Sequence, residues 1–236
     1  MTRSVRIHEF GGADVLNIED AAVREPGPGQ IRLRIHAVGL NRTEVTLRSG
    51  RSPVKPSLPC SIGFEAAGVI EALGPDVSGF VVGDRVALVP AYSASQYARY
   101  GEVSLAPARS MVAIPDNVSF SEAAATWVAY GTAWGGLVAI GALGAGQTVL
   151  IPAASSSVGL AAIHGRGAHP SPITSCGKVE DNLPDRAAYL GRGWTACAAL
   201  TRGLAVHPGD AVFVSSGGEL SSNFVDGPKI WGGISL

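Results

Sequence analysis

The sequence predicts a protein in two parts, a β-rich part followed by an α/β part. Up to residue 114, short apolar runs alternate with turns that contain Gly or Pro, which is typical of a β barrel or sandwich. Residues 123–138 are an uncharged run of small and aromatic side chains, which favours tightly packed helices. Residues 148–163 indicate a buried strand, a small-residue turn and a helix start, the unit from which parallel sheets are built.

Each part contains elements with a clear local pattern. Residues 31–36 alternate apolar and basic side chains, so one face of the strand 31–38 should lie on a core and the other in water. Ser119 or Ser121 is a predicted helix cap, with Glu122 favourable in the first turn. The other predicted strands are 4–10, 15–19, 65–73, 85–89, 96–105, 111–114 and 148–151, and a short helix is predicted at 43–48.

Composition excludes several classes of protein. A formal net charge of −1 and the lack of a basic run argue against a nucleic-acid partner and against an anionic membrane surface. The three cysteines form no CxxC pair, so no disulfide framework is expected. Residues 123–146 are uncharged but rich in Gly, Ala and Thr, which favours packed helices over a membrane span. We therefore expect a soluble, cytoplasmic protein.

Five motifs in the first 163 residues point to a family. They are G-L-N-R-T-E-V-T-L-R-S-G (39–50), P-C-S-I-G-F-E-A-A-G-V-I-E-A-L-G (59–74), V-G-D-R-V (82–86), Y-G-T-A-W (130–134) and A-A-S-S-S-V-G (153–159). In this order and spacing they resemble the medium-chain dehydrogenase/reductase superfamily, and most closely its zinc-independent, quinone-oxidoreductase-like branch. The resemblance implies a GroES-like β domain over residues 1–120 and a Rossmann-type nucleotide-binding domain over residues 121–236.

The resemblance also implies an activity and a cofactor. It implies hydride transfer from NADPH to a small-molecule quinone, enone or other carbonyl substrate, and it leaves a homodimer open. Asn41 would be the catalytic residue, beside the nicotinamide and the substrate. The implied cofactor-binding residues are Thr132 and the phosphate turn formed by Ser155, Ser156, Ser157, Val158 and Gly159.

Each of these residues also has a purely structural alternative. Asn41 could bond the turn backbone at a strand end, and Thr132 could pack within a helix. Small residues at a strand–helix turn are common, so this turn indicates a cofactor site only in combination with the other motifs. Tyr92, Tyr97 and Tyr100 could donate to a carbonyl, although strand packing is the favoured interpretation.

The chain departs from the family pattern after residue 163. Residues 164–178 are dense in Gly and Pro, so the helix should end and the nucleotide-binding domain should be interrupted. Residues 193–218 resemble residues 130–155, which indicates a second copy of a helix and first strand. With only two strands in place, we expect an incomplete Rossmann-type sheet, through rearrangement or truncation. The alternative function is a non-catalytic relic or interaction module that retains the GroES-like domain.

The residues at the expected ligand positions argue against zinc. A catalytic zinc needs three protein ligands, but the positions that hold Cys and His in the zinc-bearing branch carry Asn41 and Phe64 here. Cys60 has no ligand partner near it in the sequence. We predict that elemental analysis of the purified protein finds no stoichiometric zinc and that chelators leave any activity unchanged. One zinc per chain would contradict this prediction.

Overall fold

The structure is a computed structural model that describes residues 1–53, 55–91, 99–141, 143, 149–152, 156–165, 173–176, 211–213 and 229–231. The chain forms two compact units, Met1–Val128 and Ala129–Leu236. The first is built mainly from antiparallel strands, and the described strands of the second are all parallel. The predicted fold class, a β-rich part followed by a parallel sheet, is confirmed.

Strands and two short helices make up the first unit, and a third helix begins at its end. The strands are β1 (Thr2–Ile7), β2 (Asn17–Ala21), β3 (Gln30–Val38), β4 (Cys60–Ser61), β5 (Ala66–Leu73), β6 (Arg85–Leu88), β7 (Val103–Pro107) and β8 (Met111–Ala113). The helices are α1 (Arg42–Arg48), α2 (Phe120–Ala124) and α3 (Trp127–Trp134). In the described residues the strands form one sheet of order β2-β1-β4 and another of order β7-β3-β5-β6-β8.

The predicted alternation along β3 is confirmed. Ile31 and Leu33 are fully buried in the core of the larger sheet, whereas Arg34 is exposed. On the other face of that sheet, Ala123 and Ala124 of α2 pack against a buried patch that includes Ala67. Hydrophobic contacts on both faces therefore hold β5 in the centre of the unit.

The cap of α2 is the first of the two predicted serines. The Ser119 hydroxyl accepts the Glu122 N–H at 3.2 Å, and the Glu122 carboxylate accepts the Ser119 N–H at 2.8 Å. This reciprocal pair is a capping box, which satisfies two N–H groups that a helix start otherwise leaves without acceptors.

One predicted strand begins later than expected. The strand predicted at 96–105 starts at Val103, and residues 92–98 lie outside the described residues. The segment before β7 contacts β1 instead, since the carbonyl oxygen of Tyr100 accepts the Val5 N–H at 2.6 Å and Gly101 forms an isolated β-bridge with Ser4. The chain passes from the smaller sheet to the larger one here, so regular pairing with β3 begins only at Val103.

The second unit contains more strands than the two predicted. Its described strands are β9 (Val149–Pro152), β10 (Ile173–Cys176), β11 (Ala211–Phe213) and β12 (Lys229–Trp231), in the order β10-β9-β11-β12. The prediction of two strands is therefore wrong, because β10 and β12 also join the sheet. The strand β10 lies in the segment dense in Gly and Pro, and β12 lies after the second copy, so neither stands in a run with a strand pattern.

The helix α4 (Ser157–His164) follows β9. It ends at the first residue of the segment rich in Gly and Pro, with Gly165 as its C-cap, as predicted. The strand of the predicted second copy is β11, which lies parallel to β9. The helix of that copy falls at 193–210, outside the described residues.

The uncharged stretch that could have passed for a membrane span is broken into short pieces. It contributes to α2, α3 and a π-helical segment at Gly135–Ile140. Across the described residues, no helix has both the length and the apolar character to cross a bilayer.

A glycine in the middle of β5 provides a test of this packing. A Cβ at Gly68 would lie 1.9 Å from the carbonyl oxygen of Arg34 on β3. Gly68→Ala should therefore lower the free energy of unfolding by about 3 kcal/mol or more, as overpacking against backbone does. Gly27→Ala is the matched control, since its Cβ would meet only the end of the Gln30 side chain at 3.4 Å. Equal losses for the two variants in urea unfolding would contradict the fold.

Candidate active site

Asn41 lies between β3 and α1, and its side chain contacts a buried carboxylate. It has an extended backbone and is the N-cap of α1. Its side-chain Nδ2 donates to Oε1 of Glu65 at 2.9 Å. The structure thus gives the amide a side-chain partner from another part of the chain, and Asn41 also forms a capping box with Glu44, which is the turn-backbone role that sequence reasoning offered as the alternative.

Glu65 brings three segments together. The residue immediately precedes β5, and only 2% of it is exposed. Oε2 accepts the backbone N–H of Val128, in the first turn of α3, at 2.9 Å, and the Glu65 carbonyl oxygen accepts the Gly39 N–H at 3.2 Å. Burial raises the pKa of this carboxyl, while the hydrogen bonds from Asn41 and Val128 act in the opposite direction.

Gly39 lets these segments approach each other. A Cβ at this position would lie 2.3 Å from the carbonyl oxygen of Ala124 and 2.5 Å from Oε1 of Glu65. No side chain fits there, so the glycine is required by close packing.

Glu44 is a second buried carboxylate beside Asn41. It is 4% exposed, and it accepts the backbone N–H of Asn41 and that of Phe64, the latter at 3.2 Å. Burial raises the pKa of Glu44 to about 7, although these hydrogen bonds favour the ionised form. This carboxyl therefore titrates near neutral pH.

Tyr100 completes the cluster. Its hydroxyl donates to the carbonyl oxygen of Gly39 at 3.4 Å, and its ring packs against the apolar cluster around Ile7. Burial, and then the charge of Glu44, raise the pKa of this phenol, so it remains a donor at physiological pH. The other two candidate tyrosines, Tyr92 and Tyr97, lie outside the described residues.

The predicted cofactor turn leads into the N-terminus of α4. Ser156 is the N-cap, and its hydroxyl accepts the Gly159 N–H at 3.0 Å. Ser157 and Val158 are the first two helical residues, whose N–H groups have no acceptor within a helix. No acidic residue occupies this first turn. Ser155 lies outside the described residues.

The sheet places this turn at a switch in strand order. From β9 the chain moves to β10 on one side, and β11 then joins β9 on the other side. Open α/β sheets bind ligands at the carboxyl ends of strands where the order reverses in this way. Free N–H groups and the helix dipole at that point suit a phosphate group. Thr132, the remaining predicted cofactor residue, is half-buried in α3.

The predicted absence of zinc stays a prediction. Among the described residues, no group of three or more His, Cys, Asp or Glu side chains is close enough to hold a metal ion. Phe64 is instead half-buried against the apolar cluster around Ile7.

Sequence reasoning missed both carboxylates. The spacing of Asn41 and Glu44 is that of a capping box, so Glu44 could have been found locally. Glu65 is the only charged residue in the run 56–70, and an isolated charge among apolar residues indicates a buried group with specific partners.

Comparison with known proteins points to the same family as the sequence motifs. A family model described as the alcohol dehydrogenase GroES-like domain matches residues 27–155. Human quinone oxidoreductase is 39% identical over 163 residues, which cover 69% of this chain and 48% of that protein. The crystal structure of human synaptic vesicle membrane protein VAT-1 homolog-like protein matches with a TM-score of 0.81 and 28% identity, covering 97% of this chain and 76% of that one.

One matched structure was solved with a nucleotide. It is a mycobacterial protein in complex with NADPH, with a TM-score of 0.76 and 28% identity, and the match covers 90% of this chain and 66% of that one.

The chain therefore belongs to the alcohol dehydrogenase GroES-like family of medium-chain dehydrogenases/reductases. Within that superfamily its relatives include quinone oxidoreductases, so the resemblance seen in the motifs is confirmed. The chain spans about half the length of the curated quinone oxidoreductases it matches.

The buried Glu44 carboxyl predicts a pH dependence of stability. Its pKa is about 7 in the folded protein and near 4.5 when exposed, so the folded state holds this proton more tightly. The resulting stability is complete below about pH 4.5 and is lost as the pH rises to about 7, a change on the order of 3 kcal/mol. Glu44→Gln cannot ionise and should lack this component in urea unfolding across that range. Parallel pH profiles for the two proteins would contradict the assignment.

Proposed function

We propose that the chain is an NADPH-dependent oxidoreductase that reduces a quinone, an enone or a related carbonyl compound without zinc. Its family supports an oxidoreductase, and its similarity to quinone oxidoreductases supports this substrate class. The observation that carries the proposal is the start of α4 at the switch in strand order, with Ser156 as cap and no acidic residue in the first turn.

The chain's own groups would hold the cofactor through its phosphates. The N–H groups of Ser157 and Val158 would donate to the pyrophosphate, and the buried Gly159 would allow close approach of the backbone. Ser155 and Ser156 would add hydroxyl hydrogen bonds, and Thr132 would contribute a further polar contact. When bound, NADPH supplies the hydride, so the protein has only to bind, orient and polarise.

Asn41 would polarise the substrate. Its Nδ2 carries two hydrogens, and the structure shows one donated to Glu65. The other would donate to the carbonyl oxygen of the substrate, where negative charge develops as hydride arrives at carbon. A metal-free site depends on such a donor, because no Lewis acid shares the task.

The proposal is tested by following NADPH oxidation in the presence of quinones, enones and aldehydes. NADPH consumption that depends on one of these substrates, with NADH less effective, would support it. A wild-type protein that binds no NADPH would overturn it and would favour the non-catalytic alternative.

The cytoplasmic location and a homodimer also stay predictions, to be checked by fractionation and by light scattering.

A substitution in the phosphate turn tests the cofactor site. Asp replaces Ser well as a helix N-cap, so Ser156→Asp should leave the unfolding midpoint of the free protein nearly unchanged. Its carboxylate would face the phosphates, and two unit charges about 4 Å apart at an effective dielectric near 20 repel by about 4 kcal/mol. Even a third of that energy weakens NADPH binding about tenfold.

Nicotinamide fluorescence measures the affinity. Ser121→Asp is the matched control, because Ser121 is an exposed residue in the first turn of α2. Unchanged NADPH affinity in Ser156→Asp, or an equal loss in both variants, would contradict the assignment.

A further inference from the structure

We propose that Glu65 is a positioning residue for Asn41: its buried carboxylate fixes which end of the Asn41 amide is available to a substrate. The catalytic consequence rests on the function proposed above. The hydrogen-bond arrangement itself does not, and it can be measured separately.

The first step is the chemistry of the acceptor. An ionised carboxylate only accepts hydrogen bonds, and the groups that face it are N–H donors: Nδ2 of Asn41 and the backbone N of Val128, with the backbone of Trp127 beside them. If the Asn41 amide turned over, its Oδ1 would face Oε1 of Glu65, and two acceptors would meet at hydrogen-bond distance. With Glu65 only 2% exposed, water cannot relieve that conflict.

The second step is the lack of room for the carboxylate to move. Gly39 lies against it so closely that a single added carbon would be 2.5 Å from both Cγ and Oε1 of Glu65. The Glu65 backbone is held as well, since its carbonyl oxygen accepts the Gly39 N–H. The carboxylate therefore has a fixed position, and the amide that it binds has one favoured orientation.

The third step is the consequence for Asn41. With one Nδ2 hydrogen committed to Glu65, the second is the donor for a substrate oxygen, which would take it over from Glu44, to which the Asn41 side chain also hydrogen-bonds. A reversed amide would commit Oδ1 to the contact instead and would alter where the donor lies. Glu65 thus sets the geometry of the donor without touching the substrate itself.

Glu65→Gln is the direct test, because glutamine has the same shape but only one acceptor oxygen. The backbone N–H of Val128 is fixed and needs that oxygen, so the glutamine nitrogen must face Asn41. Asn41 then turns its Oδ1 toward the glutamine. We expect kcat to fall at least about tenfold, equivalent to about 1.4 kcal/mol, while the KM for NADPH stays near the wild-type value.

Glu71→Gln is the matched control. It makes the same change six residues further along the chain, at a carboxylate on β5 that pairs with Arg32 and Arg34, and kcat should be unchanged. A Glu65→Gln variant that keeps wild-type kcat, or a Glu71→Gln variant that loses as much, would overturn the proposal.

A second readout does not require activity. In the full-length wild type, NMR of the Asn41 side-chain amide should show one Nδ2 proton shifted downfield and slow to exchange with water. Both features should disappear in Glu65→Gln and persist in Glu71→Gln. A fast-exchanging, unshifted amide in the wild type would overturn the positioning role. If the wild type oxidises no NADPH, the proposed function fails, and the NMR result still decides the role of Glu65.

Discussion

The buried carboxylate of Glu65 is the constraint on which the candidate site depends. Removing a carboxylate from water is costly unless its oxygens receive hydrogen bonds, and the structure supplies them from Asn41 and Val128. These donors come from the N-cap of α1 and from the first turn of α3. A single ionisable group thus couples the position of the proposed catalytic amide to the packing of the unit around it.

The Asn41 cluster and the turn before α4 rely on different physical interactions. Around Asn41, low exposure strengthens each hydrogen bond and moves the pKa of Glu44 close to neutrality. At α4 the attraction comes from backbone N–H groups and the helix dipole, with no charged side chain in the first turn. The first arrangement suits orientation of a small polar group, and the second suits a phosphate.

Local features were predictable from the sequence, and contacts distant in the chain were not. The alternation along β3 and the cap at Ser119 follow from near neighbours, and both are confirmed. The strands β10 and β12 were missed because they have no local strand pattern and are stabilised by pairing in the sheet. The contact between Asn41 and Glu65 joins residues 24 positions apart. The family motifs therefore identified both segments but did not reveal the hydrogen bond between them.

A double-mutant cycle between Asn41→Ala and Glu65→Ala tests the central interaction most directly. Unfolding free energies of the wild type, both single variants and the double variant would be measured in the same buffer. A hydrogen bond to a charged acceptor contributes about 1.5–3 kcal/mol, so we expect a coupling free energy of about 1.5 kcal/mol or more. A coupling within a few tenths of a kcal/mol of zero, the usual result for independent sites, would contradict the account.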